Sequence, residues 1–274
     1  MSLTFSSEGR RVIALAQNLK LHFSVPDQRS ESWRDHFIGR LKGTIAKPQK
    51  LRVLDGITFS IAEGDRIGLM GVNGAGKTTL CRCLVGTYNP TAGSIMRAGQ
   101  VRGVFDTAMG IYPHLTGREN SRLLMHFLYP EHAGEHEAML KDAFEFSELG
   151  KFLDFPYRTY SNGMQARLCL SLVSCRPCDL LILDEVFEGA DQFFRKKIAA
   201  RVRSVIDRSG AVVFVSHSVE QIVSVCNRAI VLDGGKIAFD GDVSGAFAYY
   251  MNSNLKMSEP ETIGLPATSE WVSP

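Results

Sequence analysis

Short apolar runs alternate with longer mixed stretches along much of this sequence. Four runs are apolar at consecutive positions, as in a strand covered by helices on both faces of a sheet. They span residues 67–70, 180–183, 211–215 and 229–232. The stretches between them are long enough for helices, and this alternation predicts an α/β domain with a parallel sheet.

The region from about residue 118 to residue 160 has a different pattern, with apolar positions at helical spacing. Those positions are Leu123, Leu124, Phe127 and Leu128, followed by Phe144, Phe146 and Leu149. We therefore predict a mixed-sheet core, residues 1–250, that carries an inserted helical subdomain over about 115–178.

Two segments stand apart from this pattern. Residues 24–50 carry six basic and three acidic residues and interrupt the N-terminal strands. The spacing of their apolar residues predicts a short amphipathic helix, with Trp33, Phe37, Ile38 and Leu41 on one face. Its apolar face either packs on the protein's own sheet or contacts a partner. Residues 251–274 are polar and contain three prolines, which predicts a flexible tail.

Composition and charge narrow the class of protein. An apolar content of 45% and a charged content of 22% are typical of a folded globular chain. The net charge of +2 is too small to indicate nucleic acid as a partner. No run approaches the length of a membrane span, and the N-terminus lacks an apolar signal core. We expect a cytosolic chain whose membrane role, if any, comes through a partner.

The six cysteines include one pair, Cys175 and Cys178, with the spacing of a zinc or redox site. No second pair lies nearby with ligand spacing. We therefore interpret the cysteines as small, half-buried apolar side chains in a reducing compartment.

A phosphate-binding loop is the clearest chemical motif. The sequence GVNGAGKTT at 71–79 fits G-x-x-x-x-G-K-S/T between a strand and a helix. Glycines allow a tight turn whose N–H groups point at phosphates, Lys77 adds a charge, and the Thr78 hydroxyl suits Mg²⁺. The phosphate-binding candidates are Gly71, Asn73, Gly74, Ala75, Gly76, Lys77, Thr78 and Thr79.

A second acidic motif supports the phosphate site. The apolar run LLIL ends in Asp184 and Glu185. Asp184 at a strand end suits Mg²⁺, and Glu185 is placed to orient or deprotonate an attacking water.

The sequence TYSNGMQARL at 159–168 then resembles the signature of ABC ATPases. That resemblance implies ATP and Mg²⁺ as cofactors and a homodimer. In it Ser161 and Gly163 of one subunit bind the γ-phosphate held by the other, and Asn162 and Met164 belong to the same signature at that ATP site. Asn162 departs from the family's usual Gly or Ser.

Further positions match the same family in chain order. His217 corresponds to the switch histidine that contacts the γ-phosphate, and Asp191 to the loop that links the two sites of the dimer. Phe23 corresponds to the aromatic residue that stacks on adenine, with His22 or the inserted segment as alternatives. Asp106 occupies the position of the loop glutamine that senses Mg²⁺; Gln100 lies six residues too early.

The stretches GIYPHLTGREN at 110–120 and ELGKFLDFPYRTYSNGM at 148–164 resemble the exporters of bacterial surface polysaccharides. The resemblance implies two copies of a polytopic permease, a lipid-linked glycan as cargo, and a peripheral position on the cytoplasmic face of the inner membrane. Another cargo, such as a drug, lipid or small solute, remains an alternative. A soluble ABC protein acting on DNA or ribosomes, or an inactive homologue, fits less well.

Overall fold

The computed structural model describes residues 9–25, 49–105, 110–184, 201, 204–216 and 219–252. These residues form two β-sheets and a set of helices. The predicted residues Asp106, Glu185, Asp191 and His217 lie outside the described part of the chain, as do Trp33, Phe37, Ile38 and Leu41.

The first sheet is antiparallel and three-stranded. It consists of β1 (Val12–Val25), β2 (Gln49–Ala62) and β4 (Ala92–Arg97) in the order β2-β1-β4. Ser24 pairs with Lys50 and Val25 with Gln49, so the two strands continue into the segment that the sequence assigned to an insertion. Its predicted bounds of 24–50 are therefore too wide by two residues at each end.

The second sheet contains the predicted apolar runs. Its strands are β3 (Arg66–Met70), β5 (Val101–Val104), β6 (Leu180–Asp184), β7 (Ala211–Val215), β8 (Arg228–Asp233) and β9 (Lys236–Gly241). Their order is β5-β6-β7-β3-β8-β9, and only β9 runs antiparallel to its neighbour. The four predicted runs are confirmed as β3, β6, β7 and β8, and the sheet is mixed, as expected.

The described helices are α1 (Lys77–Val85), α2 (Gly117–Leu128), α3 (His136–Ser147), α4 (Asn162–Val173), α5 (Val219–Val225) and α6 (Val243–Asn252). Short 3₁₀ turns occupy 130–135, 150–154 and 157–159. Helix α6 includes Met251 and Asn252, and the remainder of the predicted tail lies outside the described residues. None of the described helices has the length and apolar character needed to span a membrane.

Three groups of buried side chains hold these elements together. One lies between the two sheets and includes Leu54, Ile67 and Leu80 of α1. A second covers the other face of the second sheet. The third includes Met125 and Leu168 and joins α2, α3 and α4, which are inserted between β5 and β6. The fold is therefore the expected α/β core with inserted helices.

Helix α2 differs from the sequence interpretation in the face that it buries. Phe127 is 77% exposed, although it belongs to the apolar series that predicted the helix. The buried face instead includes Asn120 and Ser121. Polar side chains are tolerated there because they bond to backbone carbonyls, as Ser121 does to Gly117 O at 2.6 Å.

The six cysteines are free, and Cys81, Cys83, Cys175 and Cys178 are buried. Cys175 and Cys178 thus belong to the apolar interior and are more buried than the half-buried side chains that the sequence predicted; only Cys169 and Cys226 are half-buried. Within the described ranges, no three His, Cys, Asp or Glu residues are grouped in a way that could hold a metal ion.

Candidate phosphate-binding site

The site lies at the carboxyl ends of three neighbouring parallel strands. Asp184, the last residue of β6, is in register with Val215 of β7, and Val215 is in register with Leu69 of β3. The loop at residues 71–76 begins one residue after Met70, which ends β3. The sheet order thus places Asp184 and the loop at the same edge, separated by the single strand β7.

Glycines give the loop its shape. Gly71, Gly74 and Gly76 have φ values of 146°, 82° and 101°, in the region that residues with a side chain rarely adopt. A Cβ on Gly76 would lie 2.9 Å from Leu54 Cδ2 and 3.0 Å from the Val53 carbonyl oxygen. The loop therefore turns tightly against β2.

Lys77 begins α1 and lies inside the loop. Its side chain is only 7% exposed, and its Nζ donates to the carbonyl oxygens of Gly71 at 2.8 Å and Val72 at 3.3 Å. Thr78 and Thr79 follow in the first turn, where backbone N–H groups have no helical acceptor. A positive side chain and a helix N-terminus thus meet at one concave loop, an arrangement that suits anionic phosphates.

The charges of Asp184 and Lys77 both act on one buried thiol. Burial raises the pKa of Cys81 well above its usual value, the Asp184 carboxylate raises it further, and the Lys77 ammonium lowers it. Asp184 is 3% exposed. Asp184 at the end of β6 and Lys77 at the start of α1 are therefore both close enough to Cys81 to affect its ionisation.

An aromatic pair lies on the β2 side of the loop. The ring centroids of Phe23 and Tyr88 are 5.7 Å apart, and the ring planes meet at 78°. Phe23 is in register with Leu51, two residues before the Val53 that contacts Gly76. Tyr88 was not identified from the sequence, because an isolated tyrosine after a helix fits no motif. The alternative residue, His22, has its Nδ1 3.0 Å from Thr91 Oγ1.

The signature sequence begins α4. Ser161 is the N-cap, and its side chain accepts a hydrogen bond from Met164 N at 3.3 Å. Ser161 and Asn162 are exposed and Gly163 is half-buried. Met164 packs against the third group of buried side chains. The N-terminal end of α4 thus faces solvent, while the next turn anchors it.

The two stretches that suggested a subfamily lie side by side. Tyr157 N donates to Leu115 O at 2.8 Å, and Arg158 N donates to Pro113 O at 2.9 Å. The buried side chain of Asn120 accepts from Tyr112 N and donates to the carbonyls of residues 112, 115 and 116. The chain leading into the signature is therefore fixed against the start of α2.

Gln100 lies at the opposite edge of the sheet from the phosphate loop. It precedes β5, its carbonyl accepts from Leu180 N, and its own N–H donates to Asp179. Leu180 starts β6, whereas Asp184 ends it. The structure therefore places Gln100 away from Asp184 and the phosphate loop.

Comparisons with known proteins agree with this geometry. The family model described as ABC transporter matches residues 54–188. The O-antigen export system ATP-binding protein RfbE of Yersinia enterocolitica is 35% identical over 81% of this chain and 94% of its own length. The RfbB protein of Klebsiella pneumoniae, named in the same way, is 33% identical over 75% of this chain and 83% of its own length.

A further relative is the teichoic acids export ATP-binding protein TagH of Staphylococcus haemolyticus. It is 35% identical over 72% of this chain and 74% of its own length. Among solved structures, a dimeric ATP-binding cassette bound to ADP and Pi superposes with a TM-score of 0.65. That match has 17% identity and covers 84% of this chain and 99% of that chain, and it supports the fold alone. The chain therefore belongs to the ABC transporter family and is one of its ATP-binding ATPase subunits.

Proposed function

We propose that this protein hydrolyses ATP to drive the export of a lipid-linked surface polysaccharide across the cytoplasmic membrane. The observation that carries the proposal is the adjacency of the two stretches at 110–120 and 148–164. Both resemble polysaccharide exporters in sequence, and the backbone of the first pairs with that of the second. Three relatives that match most of this chain are named for the export of O-antigen or teichoic acids.

In this proposal the ATP phosphates bind at the loop of residues 71–76 and the first turn of α1. Gly71, Asn73, Gly74, Ala75 and Gly76 bring backbone N–H groups to the phosphates. The remaining contacts come from Lys77, Thr78 and Thr79. The 7% exposure of Lys77 supports this, because a buried ammonium interacts with an anion more strongly than an exposed one.

Thr78 and Asp184 are the described residues suited to hold Mg²⁺. A hydroxyl and a carboxylate are the hard oxygen ligands that this ion prefers, and Asp184 is buried at a strand end beside the loop. When bound, Mg²⁺ neutralises charge on the β- and γ-phosphates. Asp106 is a further proposed ligand, from sequence alone.

The catalytic assignments rest on sequence position. Glu185 directly follows Asp184, and we assign it the role of orienting the attacking water. His217 comes two residues after the last residue of β7, and we assign it the contact with the γ-phosphate. What supports both assignments is that β6 and β7 end at the edge of the sheet where the phosphate loop follows β3.

We further propose a homodimer in which Ser161, Asn162, Gly163 and Met164 complete the ATP site of the second copy, with Asp191 linking the two sites. The solvent-facing N-terminal end of α4 supports this role, because the N–H groups of Asn162 and Gly163 have no acceptor within the helix, whereas that of Met164 donates to the Ser161 side chain. The dimer would act with two copies of a polytopic permease on the cytoplasmic face of the inner membrane. No nucleic-acid partner is part of the proposal.

Two substitutions test the ATPase assignment. Lys77→Ala should lose ATP affinity, because the charge at the phosphates is removed. Glu185→Gln should bind ATP normally and lose most turnover. The matched control is Lys151→Ala, which removes an exposed lysine outside the site. A Glu185→Gln turnover within about twofold of the parent protein would assign the water to another residue.

The cargo is tested separately in the cells that make this protein. Replacing the chain by its Glu185→Gln variant should deplete polysaccharide at the cell surface and accumulate its lipid-linked form inside. An unchanged surface polysaccharide, together with a defect in the transport of a drug, lipid or small solute, would support the alternative cargo.

A further inference from the structure

A half-exposed aromatic ring on β1 is held by a second ring that follows α1. Phe23 is 38% exposed, and its contact with Tyr88 is edge-to-face at 5.7 Å. Pairs with this geometry are attractive because the positive edge of one ring meets the negative face of the other. The Phe23 ring is therefore restrained on one side and open to solvent on another.

Tyr88 is itself fixed to α1. Its backbone N–H donates to Arg82 O at 3.3 Å, and its hydroxyl accepts from Arg82 Nη1 at 3.1 Å. The Arg82 guanidinium lies 5.7 Å from the Tyr88 ring centroid and 5.9 Å from that of Phe105. Arg82 lies on α1, the helix that begins at the phosphate loop. A chain of contacts thus runs from that helix through Arg82 and Tyr88 to Phe23.

We propose that Tyr88 is a positioning residue for the nucleotide base. It holds the Phe23 ring in one orientation before ATP arrives, so that a face of the ring is presented to adenine. This inference rests on the proposed function, in which ATP phosphates bind the loop, and on the family resemblance, which assigns adenine stacking to Phe23. Restraint in the free protein reduces the side-chain ordering that binding would otherwise require.

The test separates base binding from phosphate binding by using two ligands. ATP and inorganic tripolyphosphate are titrated calorimetrically, with Mg²⁺, into the full chain carrying Glu185→Gln to prevent turnover. On this background, Tyr88→Ala should weaken ATP binding about three- to tenfold, the range expected when binding must order one further side chain. Tripolyphosphate has no base, so its affinity should stay within about twofold. Tyr88→Phe keeps the ring and should retain most of the ATP affinity.

A double-substitution cycle tests whether Tyr88 acts through Phe23. If it does, Phe23→Ala combined with Tyr88→Ala should bind ATP no more weakly than Phe23→Ala alone. Additive losses would mean that Tyr88 contacts the base directly and would overturn the positioning role. Equal losses for ATP and tripolyphosphate would show that Tyr88 only supports α1, and would also overturn it.

The same series distinguishes failure of this inference from failure of the proposed function. If Phe23→Ala weakens ATP binding but Tyr88→Ala does not, the inference fails and adenine stacking on Phe23 stands. If Phe23→Ala leaves ATP binding unchanged, the stacking assignment itself fails and the inference fails with it. A Tyr88→Phe variant as weak as Tyr88→Ala would also count against the inference, because the ring would then be irrelevant.

Discussion

The guanidinium of Arg102 lies over the ring of Tyr129, with its Cζ 4.0 Å from the ring centroid. Arg102 is on β5 and is 4% exposed. It also donates to Leu128 O at 3.1 Å and Arg176 O at 2.6 Å. Leu128 ends α2, and Arg176 follows α4. One side chain of the sheet thus binds carbonyl groups next to the C-terminal ends of two inserted helices.

Arg102→Met should lower the free energy of unfolding by about 2–4 kcal/mol, because it leaves two carbonyls unsatisfied and removes a cation–π contact. Urea denaturation measures the change. The control is Arg122→Met, which removes an exposed ion pair with Glu137 at 3.7 Å and should cost under about 0.5 kcal/mol. Similar losses for the two variants would mean that Arg102 does not join the helices to the sheet.

Two glycines of the phosphate loop should differ in their tolerance of alanine. Gly74 has φ +82° with open space at its Cβ position, so Gly74→Ala meets backbone strain alone, about 1 kcal/mol. Gly76 adds close contacts with Leu54 and Val53 to its strain at φ +101°. Gly76→Ala should therefore destabilise by at least about 2 kcal/mol. Thermal unfolding without nucleotide compares them, and equal shifts would contradict the contact with β2.

The buried thiol of Cys175 should make stability depend on alkaline pH. Burial raises the pKa of Cys175 from 9.0 to about 11. Between these values the unfolded chain loses a proton that the folded protein keeps. The stabilisation is therefore fully present below about pH 9 and is lost as the pH rises through about 11.

Cys175→Ala removes this ionisation. Its stability relative to the parent protein should improve by about 2 kcal/mol between pH 8 and pH 10.5. Urea denaturation at both pH values gives the comparison, and the difference at pH 8 isolates the packing cost of the lost sulfur. A difference that does not change with pH would mean that the thiol ionises equally in both states.

The proposed exchange of signature residues predicts that isolated monomers hydrolyse ATP poorly. Specific activity should rise with protein concentration, because each site needs Ser161 and Gly163 of a second copy. The Glu185→Gln variant with ATP should elute as a dimer in size-exclusion chromatography, and the same variant carrying Ser161→Arg should not. Concentration-independent specific activity would place the complete site within one chain.

The sequence indicated the strands that form the phosphate edge because β3, β6, β7 and β8 are buried on both faces. Such strands must be apolar at consecutive positions, and this pattern is local. The buried face of α2 was not predictable in the same way. Asn120 is buried because carbonyls at residues 112, 115 and 116 converge on it, and that convergence depends on the loop before the helix.

Tyr88 illustrates a second limit of sequence reasoning. Its contact with Phe23 joins residues 65 positions apart, and the pairing exists only because β1 and the end of α1 lie next to each other. No periodicity carries that information. The phosphate loop was predictable because its glycines and Lys77 lie within seven consecutive residues, so a short motif contains both the turn and the charge.

The backbone pairing of Leu115 with Tyr157 and of Pro113 with Arg158 has a consequence for chimaeras between relatives. These hydrogen bonds join two stretches that are about 40 residues apart in the chain, and Asn120 fastens the first stretch to its helix. A graft that transplants only the stretch before α2, or only the stretch before the signature, separates a matched interface. Donor and recipient should therefore exchange both stretches as a single module.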